Sequence, residues 1–485
     1  MPKLPSRSLT LGLLATALCA LTTGAATASA SRGQITYFEA GASLFTSPSS
    51  QAKDFTQMQT LGVKALRIEL PWAAVVPTAT SASKPAGDET DPARYGWGLY
   101  GTAIAQAKAL GWPVLLTVTS PVPRWATSNK KAPYITRPDQ SDFQEFMTAV
   151  GREFATQVSI YSIWNEPNHP AFLMPQWTSS GAPASPRIYR GLFQAGYEGL
   201  KAAGLTHAKV LFGETAPTGY DTVSPRHEGA RAYLRDVAPL AFLRGALCLN
   251  NHWRRAGSCS KLQMSGYAHH AYTKAVSPYY VAPGADNVTI GSLSRLSGAL
   301  DKAAAAHAIP SGLPIYITEF GVQSFPNQEL GVPVTKQAEY DAIAEKIAWG
   351  NSRVAAFSQY LLKDDPLGGR PGSSVSGGSV GFQTGLEYVN SKPKPLFYAW
   401  PVPLVVSKHG HGFSFWGLVR PTTGRTKVTV LVRRAGSSAF RKLATVSTDS
   451  RGYWALSSSV RGTAWRVMWK SPQGRTYEGP AIGAN

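Results

Sequence analysis

The sequence predicts an α/β chain: a (β/α)8 TIM barrel followed by a small all-β module of the β-sandwich type. Three observations carry that prediction. Eight short apolar runs alternate with helical stretches between about residues 35 and 360. No Gly-rich turn follows the first run, as it would in a doubly wound open sheet. Beyond about residue 400 the pattern changes to period two.

The eight runs are 35–40, 64–70, 113–119, 158–164, 209–214, 264–270, 314–319 and 354–360. Several are almost continuously apolar, as strands of a parallel sheet covered on both faces must be. The amphipathic or Ala-rich segments 51–61, 101–110, 141–156, 188–203, 293–308 and 335–350 read as the intervening helices. Residues 366–381 are Gly- and Ser-rich, a loop after the eighth strand, and Pro393, Pro395, Pro401 and Pro403 then punctuate the chain. The module expected over 405–485 shows alternating runs at 413–420, 426–434, 440–448, 452–456 and 463–470, with turn residues between them.

Composition agrees. The chain has 485 residues, 43% apolar and only 16% charged, which excludes a disordered chain. With 46 Gly, 35 Pro, 13 Trp and 20 Tyr it is also no coiled coil, collagen or helical bundle. The formal charge of +20 is unevenly spread: residues 401–485 hold 13 basic residues against Asp449 and Glu478, hence +11, and residues 31–400 hold only +7. The export signal and the acidic pair in the barrel, both described below, and the want of a nucleic-acid motif argue against a nucleic-acid-binding protein.

Residues 1–30 read as a secretory signal, with Lys3 and Arg7, an apolar run from Leu9 to Leu21 and the small-residue site Ala28-Ser29-Ala30. An uncleaved anchor is the competing reading, disfavoured by the short apolar core. The expectation is a secreted chain, free or wall-associated, with a catalytic part over 31–400 and no integral membrane span after cleavage. Loss of Cys19 with the signal leaves Cys248 and Cys259, a pair suited to a disulfide in an exported chain, two independent thiols being the alternative.

Two of the runs end in a carboxylate. The fourth leads into Trp164-Asn165-Glu166-Pro167-Asn168 and the seventh into Thr318-Glu319-Phe320-Gly321. One strand-end glutamate is ordinary. Two on different strands of one barrel mouth give glycoside hydrolysis what it needs: an acid for the leaving oxygen and a carboxylate at the anomeric carbon.

With these motifs the sequence resembles the clan A retaining glycoside hydrolases, nearest to family 39-like and family 5-like members, over about residues 35–400. The resemblance implies a glycosidase in which Glu166 is the acid/base, Glu319 the nucleophile and Asn165 a contact to the sugar 2-hydroxyl. It also implies retention of configuration, hence carboxyls roughly 5–5.5 Å apart. In similar enzymes an arginine at Arg67 bonds the nucleophile, a salt bridge to Glu69 or a neighbour being its alternative here. His270 and Tyr272 match a His-x-Tyr pair expected to bond substrate or acid/base and to orient the nucleophile. The neighbouring His269 points the other way along the strand, which argues against a metal pair.

Glu214 closes the fifth run and reads equally as a third site acid or a structural residue. Trp72, Trp125, Trp164, Trp177 and Tyr360 lie near strand ends and are candidate sugar platforms. The eighth run ends Phe357-Ser358-Gln359-Tyr360, where many relatives carry a tryptophan, so Gln359, Lys363, Asp364 and Asp365 are the polar replacements expected there. No cofactor and no metal are implied, since carboxylates fill both chemical roles.

The partner expected is a polysaccharide or oligosaccharide, bound by a monomer. The alternative function is a non-catalytic carbohydrate- or wall-binding protein on the same scaffold. The arginines of the C-terminal module suggest an anionic envelope surface, or merely solvated strands. Its Trp416, Trp454, Trp465 and Trp469 read as core rather than as a sugar platform.

Overall fold

The computed structural model describes residue 31 and residues 33–273, 277–366 and 381–484. Residues 1–30, expected to be a secretory signal, and most of the Gly/Ser-rich 366–381 lie outside the described residues.

Eight parallel strands close into a barrel in sequence order. They are β1 Ile35–Glu39, β2 Leu66–Pro71, β3 Val114–Thr119, β4 Ile160–Ile163, β5 Lys209–Thr215, β6 Gly266–His270, β7 Ile315–Glu319 and β8 Val354–Tyr360. Closure comes from β8 against β1, in register from Ile35 with Ala356 to Glu39 with Tyr360. The expected helices occur as Pro48–Leu61, Gly98–Ala109, Gln140–Phe154, Ser185–Ala202, Leu293–Ala305 and Val334–Trp349. A further helix, Pro239–Ala246, was not anticipated; a proline opens it. No helix of the described residues is long and apolar enough to cross a membrane.

Local chemistry explains the helix ends. The Ser47 hydroxyl accepts from the Ser50 amide, Pro48 opens the helix Pro48–Leu61, and Gly62 closes it at φ 83°. Gly62 is needed twice over, since a Cβ there would stand 2.6 Å from the backbone nitrogen of Pro421 in the C-terminal module.

Strand parity explains the barrel interior. Tyr37, Ala65, Leu115, Ile160, Leu211, Ala268, Tyr316 and Ala356 form one buried apolar cluster. Two residues further along the same inward-facing rows come Glu39, Arg67, Thr117 and His270. An apolar layer thus supports a polar one at the C-terminal strand ends. A much larger cluster joins the outer strand faces to the helices.

The C-terminal strands are β9 Leu404–His409, β10 Gly412–Leu418, β11 Lys427–Arg433, β12 Phe440–Ser447, β13 Tyr453–Ser458, β14 Ala464–Lys470 and β15 Thr476–Glu478. They form a three-stranded sheet, β13-β10-β9, and a four-stranded sheet, β12-β11-β14-β15. Val406, Phe415 and Trp454 of the first share one core with Val430, Trp465, Val467 and Trp469 of the second, the packing of a sandwich. β9 and β15 were not expected: one follows directly on Pro401 and Pro403, and the other is three residues long. Trp416 belongs to the seam with the barrel, beside Trp349, Ile343 and Tyr453.

Cys248 and Cys259 are joined by a disulfide, their Cα atoms 6.1 Å apart.

Candidate active site

Arg67, on β2, is the centre around which the site is built. Its side chain is fully buried. One terminal nitrogen, Nη1, donates to Glu319 Oε1 at 2.8 Å and also to Glu39 Oε2. The other, Nη2, donates to Glu214 Oε2 at 2.7 Å and to Asn165 Oδ1 at 3.1 Å. The planar guanidinium fork suits this sharing among carboxylates, and the surrounding negative charge holds it protonated against burial. Both expected roles of Arg67 are present: it bonds Glu319, and it is salt-bridged to the neighbouring Glu39 and Glu214.

Glu319 ends β7, where an irregularity in the pairing sets it opposite His270 of β6. Both its oxygens are bonded: Oε1 accepts from Arg67 and Oε2 accepts from the Tyr272 hydroxyl at 2.9 Å. Glu166 follows β4, its backbone at φ 36°, with Trp164 at φ 73° and Glu214 at φ 49° close by. Left-handed backbone at three bulky or charged residues is costly, and such strain collects at functional sites. Here the Glu166 amide is tied to the Glu214 carbonyl at 3.0 Å.

His270 connects the two candidate catalytic carboxylates. Its Nδ1 lies 2.9 Å from Glu166 Oε1 and 3.4 Å from Glu319 Oε2, and its Nε2 lies 3.7 Å from Glu214 Oε2. Burial alone disfavours the imidazolium, but Glu319, Glu166 and Glu214 together push its pKa up to about 10. Burial likewise raises Glu166, and the bond to His270 outweighs it, so that carboxyl is held below its ordinary value. Glu214 is drawn down to about 2: burial opposes this, and Arg67 with His270 overcomes it.

One oxygen of Glu166, one oxygen of Glu319 and a ring nitrogen of His270 lie within 4.8 Å of one another. Glu39, Glu69 and Glu319 make a second such group. As cation sites both are already served by protein: Arg67 bonds Glu39 and Glu319, and His270 bonds Glu166.

Of the residues expected from sequence, the structure brings Glu166, Glu319, Arg67, Asn165, His270, Tyr272 and Glu214 together. Two of these differ from a substrate contact. Arg67 and Glu214 are wholly enclosed, Glu214 taking a further bond from the Thr117 hydroxyl at 2.8 Å, so they hold other side chains in place.

Trp72, Trp125 and Trp177 are corrections: they are core, not sugar platforms. Trp72 is stacked on Phe146 and met edge-on by Trp125, and the Trp177 indole donates to the Arg235 carbonyl at 2.7 Å. Trp164 is enclosed too, donating to the Phe172 carbonyl. A periodic sequence signal places such rings near strand ends but does not say which side of the sheet they face. Gln359 is likewise structural, buried with its amide donating to the carbonyls of Tyr360 and Thr384. Lys363 pairs with Asp54, and Asp364 with Lys394.

Two residues were missed. Glu39 ends β1 with a carboxylate, the same signal that singled out Glu166 and Glu319. Phe382, 39% exposed, packs edge-on against Tyr360 and tilted against Tyr272, so it is an aromatic surface at the site. It lies past the eighth strand, where no strand-end rule reaches.

No protein-family model matches the chain. A search of curated proteins found no match either. Solved structures share its overall shape. A family 39 glycoside hydrolase from Bacteroides cellulosilyticus has 15% identity and a TM-score of 0.48, covering 87% of this chain and 79% of its own. A glucosidase from Croceicoccus marinus has 9% identity and a TM-score of 0.49, with 85% and 90% covered. A family 1 β-glucosidase from Thermotoga maritima has 16% identity and a TM-score of 0.44, with 72% and 84% covered. At these identities and scores the likenesses carry no argument about chemistry, which has to come from the site itself.

Proposed function

We propose that the chain is a secreted retaining glycosidase acting on a polysaccharide or oligosaccharide, with Glu319 as nucleophile and Glu166 as acid/base. The observation that carries this reading is the pair of glutamates at the ends of β4 and β7, with an oxygen of each inside one 4.8 Å group. That closeness suits direct attack by a carboxylate, whose partner sits roughly 5–5.5 Å away, better than the roughly 6.5–9.5 Å that leaves room for a water. The export signal and the disulfide support a place outside the cell.

In the first step Glu319 attacks the anomeric carbon, the glycosidic C–O bond breaks, and Glu166 gives its proton to the departing oxygen. In the second, Glu166 takes a proton from water, whose oxygen displaces Glu319 from the same carbon. Arg67 and Tyr272 hold Glu319 aimed, one at each of its oxygens. Asn165 gives its carbonyl oxygen to Arg67, which leaves the amide nitrogen as a donor for a sugar hydroxyl. The proton that Glu166 donates is shared with His270 across their 2.9 Å bond, on the ring at rest and on the carboxyl when a leaving oxygen arrives.

A panel of nitrophenyl glycosides and polysaccharides tests this. Glu319→Gln is expected to bring turnover below detection. Glu166→Ala should cost about 10²–10⁴-fold on poor leaving groups and much less on nitrophenolate, which needs no protonation. Equal turnover by Glu319→Gln overturns the assignment, and binding without any turnover across the panel favours a carbohydrate-binding protein.

A further inference from the structure

Far from the carboxylates, the disulfide Cys248–Cys259 closes a loop that carries His252, Trp253, Arg254 and Arg255. No acidic residue occurs from 237 to 285, so nothing within this stretch of sequence offsets those charges. The loop is held in one shape. Asn250 Oδ1 accepts from the amides of His252 and Arg254, and Asn250 and Arg254 also bond backbone to backbone at 2.9 Å. Arg255 fastens the loop to its neighbour by donating to the carbonyls of Ala306, His307 and Cys259. Trp253 is kept at φ 60°, a conformation an aromatic residue adopts only under constraint. The Arg244 guanidinium, itself paired with Asp286, stands 5.3 Å from the centre of its ring.

This rigid tip borders an open cleft of about 600 Å³ lined by Asn251, His252, Trp253, Arg254 and Lys302. Arg254 and Lys302 are exposed, and neither has an acidic partner among the described residues. The loop leads into Gly266, the first residue of β6, whereas His270, the last, is in the catalytic site. Lys302 stands in the last turn of the helix Leu293–Ala305, which returns towards the start of β7. The cleft is therefore at the end of the barrel away from the carboxylates.

We infer that this cleft binds an acidic polysaccharide, with a sugar ring stacked on Trp253 and its anionic groups paired with Arg254 and Lys302. An aromatic ring with two unpaired cations beside it recognises an anionic sugar chain, since the ring meets the apolar sugar face and the cations meet the charge. A preformed tip loses little freedom on binding. The inference does not rest on the glycosidase reading, because a site on the far end works whether or not the mouth hydrolyses anything.

Affinity electrophoresis of the full chain through gels holding polygalacturonate, dextran sulfate or a poly(glycerol phosphate) tests it, with neutral dextran as the blank. The expected result is retardation by at least one of the three and none by dextran, weakening as salt is added. Which polymer retards the chain distinguishes carboxylate, sulfate and phosphate sources. Arg254→Glu with Lys302→Glu should raise the apparent Kd at least fivefold, and Trp253→Ala should raise it severalfold where thermal unfolding shows the fold kept. Arg441→Glu with Lys442→Glu, on β12 of the basic module, should change it less than twofold. Wild-type mobility in all three polymers, or a loop variant that binds as well as wild type while the β12 variant does not, overturns the inference.

Discussion

The imidazole of His270 touches three glutamates, and only one of them has a use for its proton. Glu214 is already bonded by Arg67 and Thr117, and Glu319 by Arg67 and Tyr272. Glu166 has the 2.9 Å bond to Nδ1, so its carboxyl and the histidine titrate as a pair. With the ring pKa pushed up to about 10, the pair keeps its proton through neutral pH and gives it up only in alkali. The alkaline limb of activity in the proposed reaction therefore belongs to the pair. In His270→Asn the limb should fall back to the carboxyl of Glu166 alone, which burial still raises and which loses the bond and charge of His270, keeping only the weaker pull of His169 and Arg67. The expected outcome is a limb moved at least one pH unit to the acid side, with neutral-pH kcat/KM down roughly tenfold or more. A pH profile of kcat/KM for both proteins checks it, and an unmoved limb means that the proton is not held on His270.

The strands that carry the site were legible because each is an apolar run ended by a charged or turn residue, and parity along it follows from pleating alone. The loops were not, because their shape depends on contacts far apart in sequence. The region after β8 illustrates this. Lys394, fully buried, donates to Asp364 at 2.6 Å, to the Ser324 hydroxyl at 3.0 Å and to the Gln383 carbonyl at 3.2 Å. One ammonium thus ties the loop after β7 to both sides of the loop after β8, and sets Phe382 beside Tyr272. Asp364 looked like a substrate contact only because Lys394, thirty residues on, gives no sign in sequence that it folds back. The same limit hid the fate of Trp72 and Trp177, whose type and position were visible but whose facing was not. Glu39 is different, since its strand-end signal was present and was passed over. Lys394→Met is expected to cost about 3–5 kcal/mol, because it leaves a buried carboxylate without its cation. Adding Asp364→Leu should restore much of that loss, as replacing both members of a buried pair by apolar groups is far milder. Denaturant unfolding of wild type, single and double variants measures it, and equal losses in the two variants would show that the pair itself is not what Lys394→Met destroys.

At the scale of the whole molecule, the C-terminal module is a cover for the barrel as much as an appendage. Trp416, Leu418 and Tyr453 bury Ala342, Ile343 and Trp349 of the last barrel helix. The Tyr477 hydroxyl reaches the Thr60 carbonyl at 2.8 Å, and Lys64 donates to the Thr422 carbonyl. At the centre of the seam Arg420 lies 4.0 Å over the Trp400 ring and grips Glu345, with one bond of 2.9 Å. Asp341, one helical turn before Glu345, is buried beside this pair, and its Oδ1 has no hydrogen-bond partner among the described residues. Burial first, and then repulsion by Glu345, raise its pKa from 3.8 to about 7, with Arg420 offsetting only part. A carboxyl raised on folding favours the folded state while protonated. That contribution is complete below about pH 4 and fades as the pH climbs to about 7. Asparagine copies the neutral carboxyl at every pH. Asp341→Asn should therefore match wild type in Tm near pH 4 and exceed it at pH 8, by roughly 1 °C for each kcal/mol that ionisation costs in a cooperative unit of this size. Scanning both proteins across that range checks the point. A constant difference in Tm at all pH values would mean that Asp341 does not titrate in the seam, and that its charge is borne by Arg420 throughout.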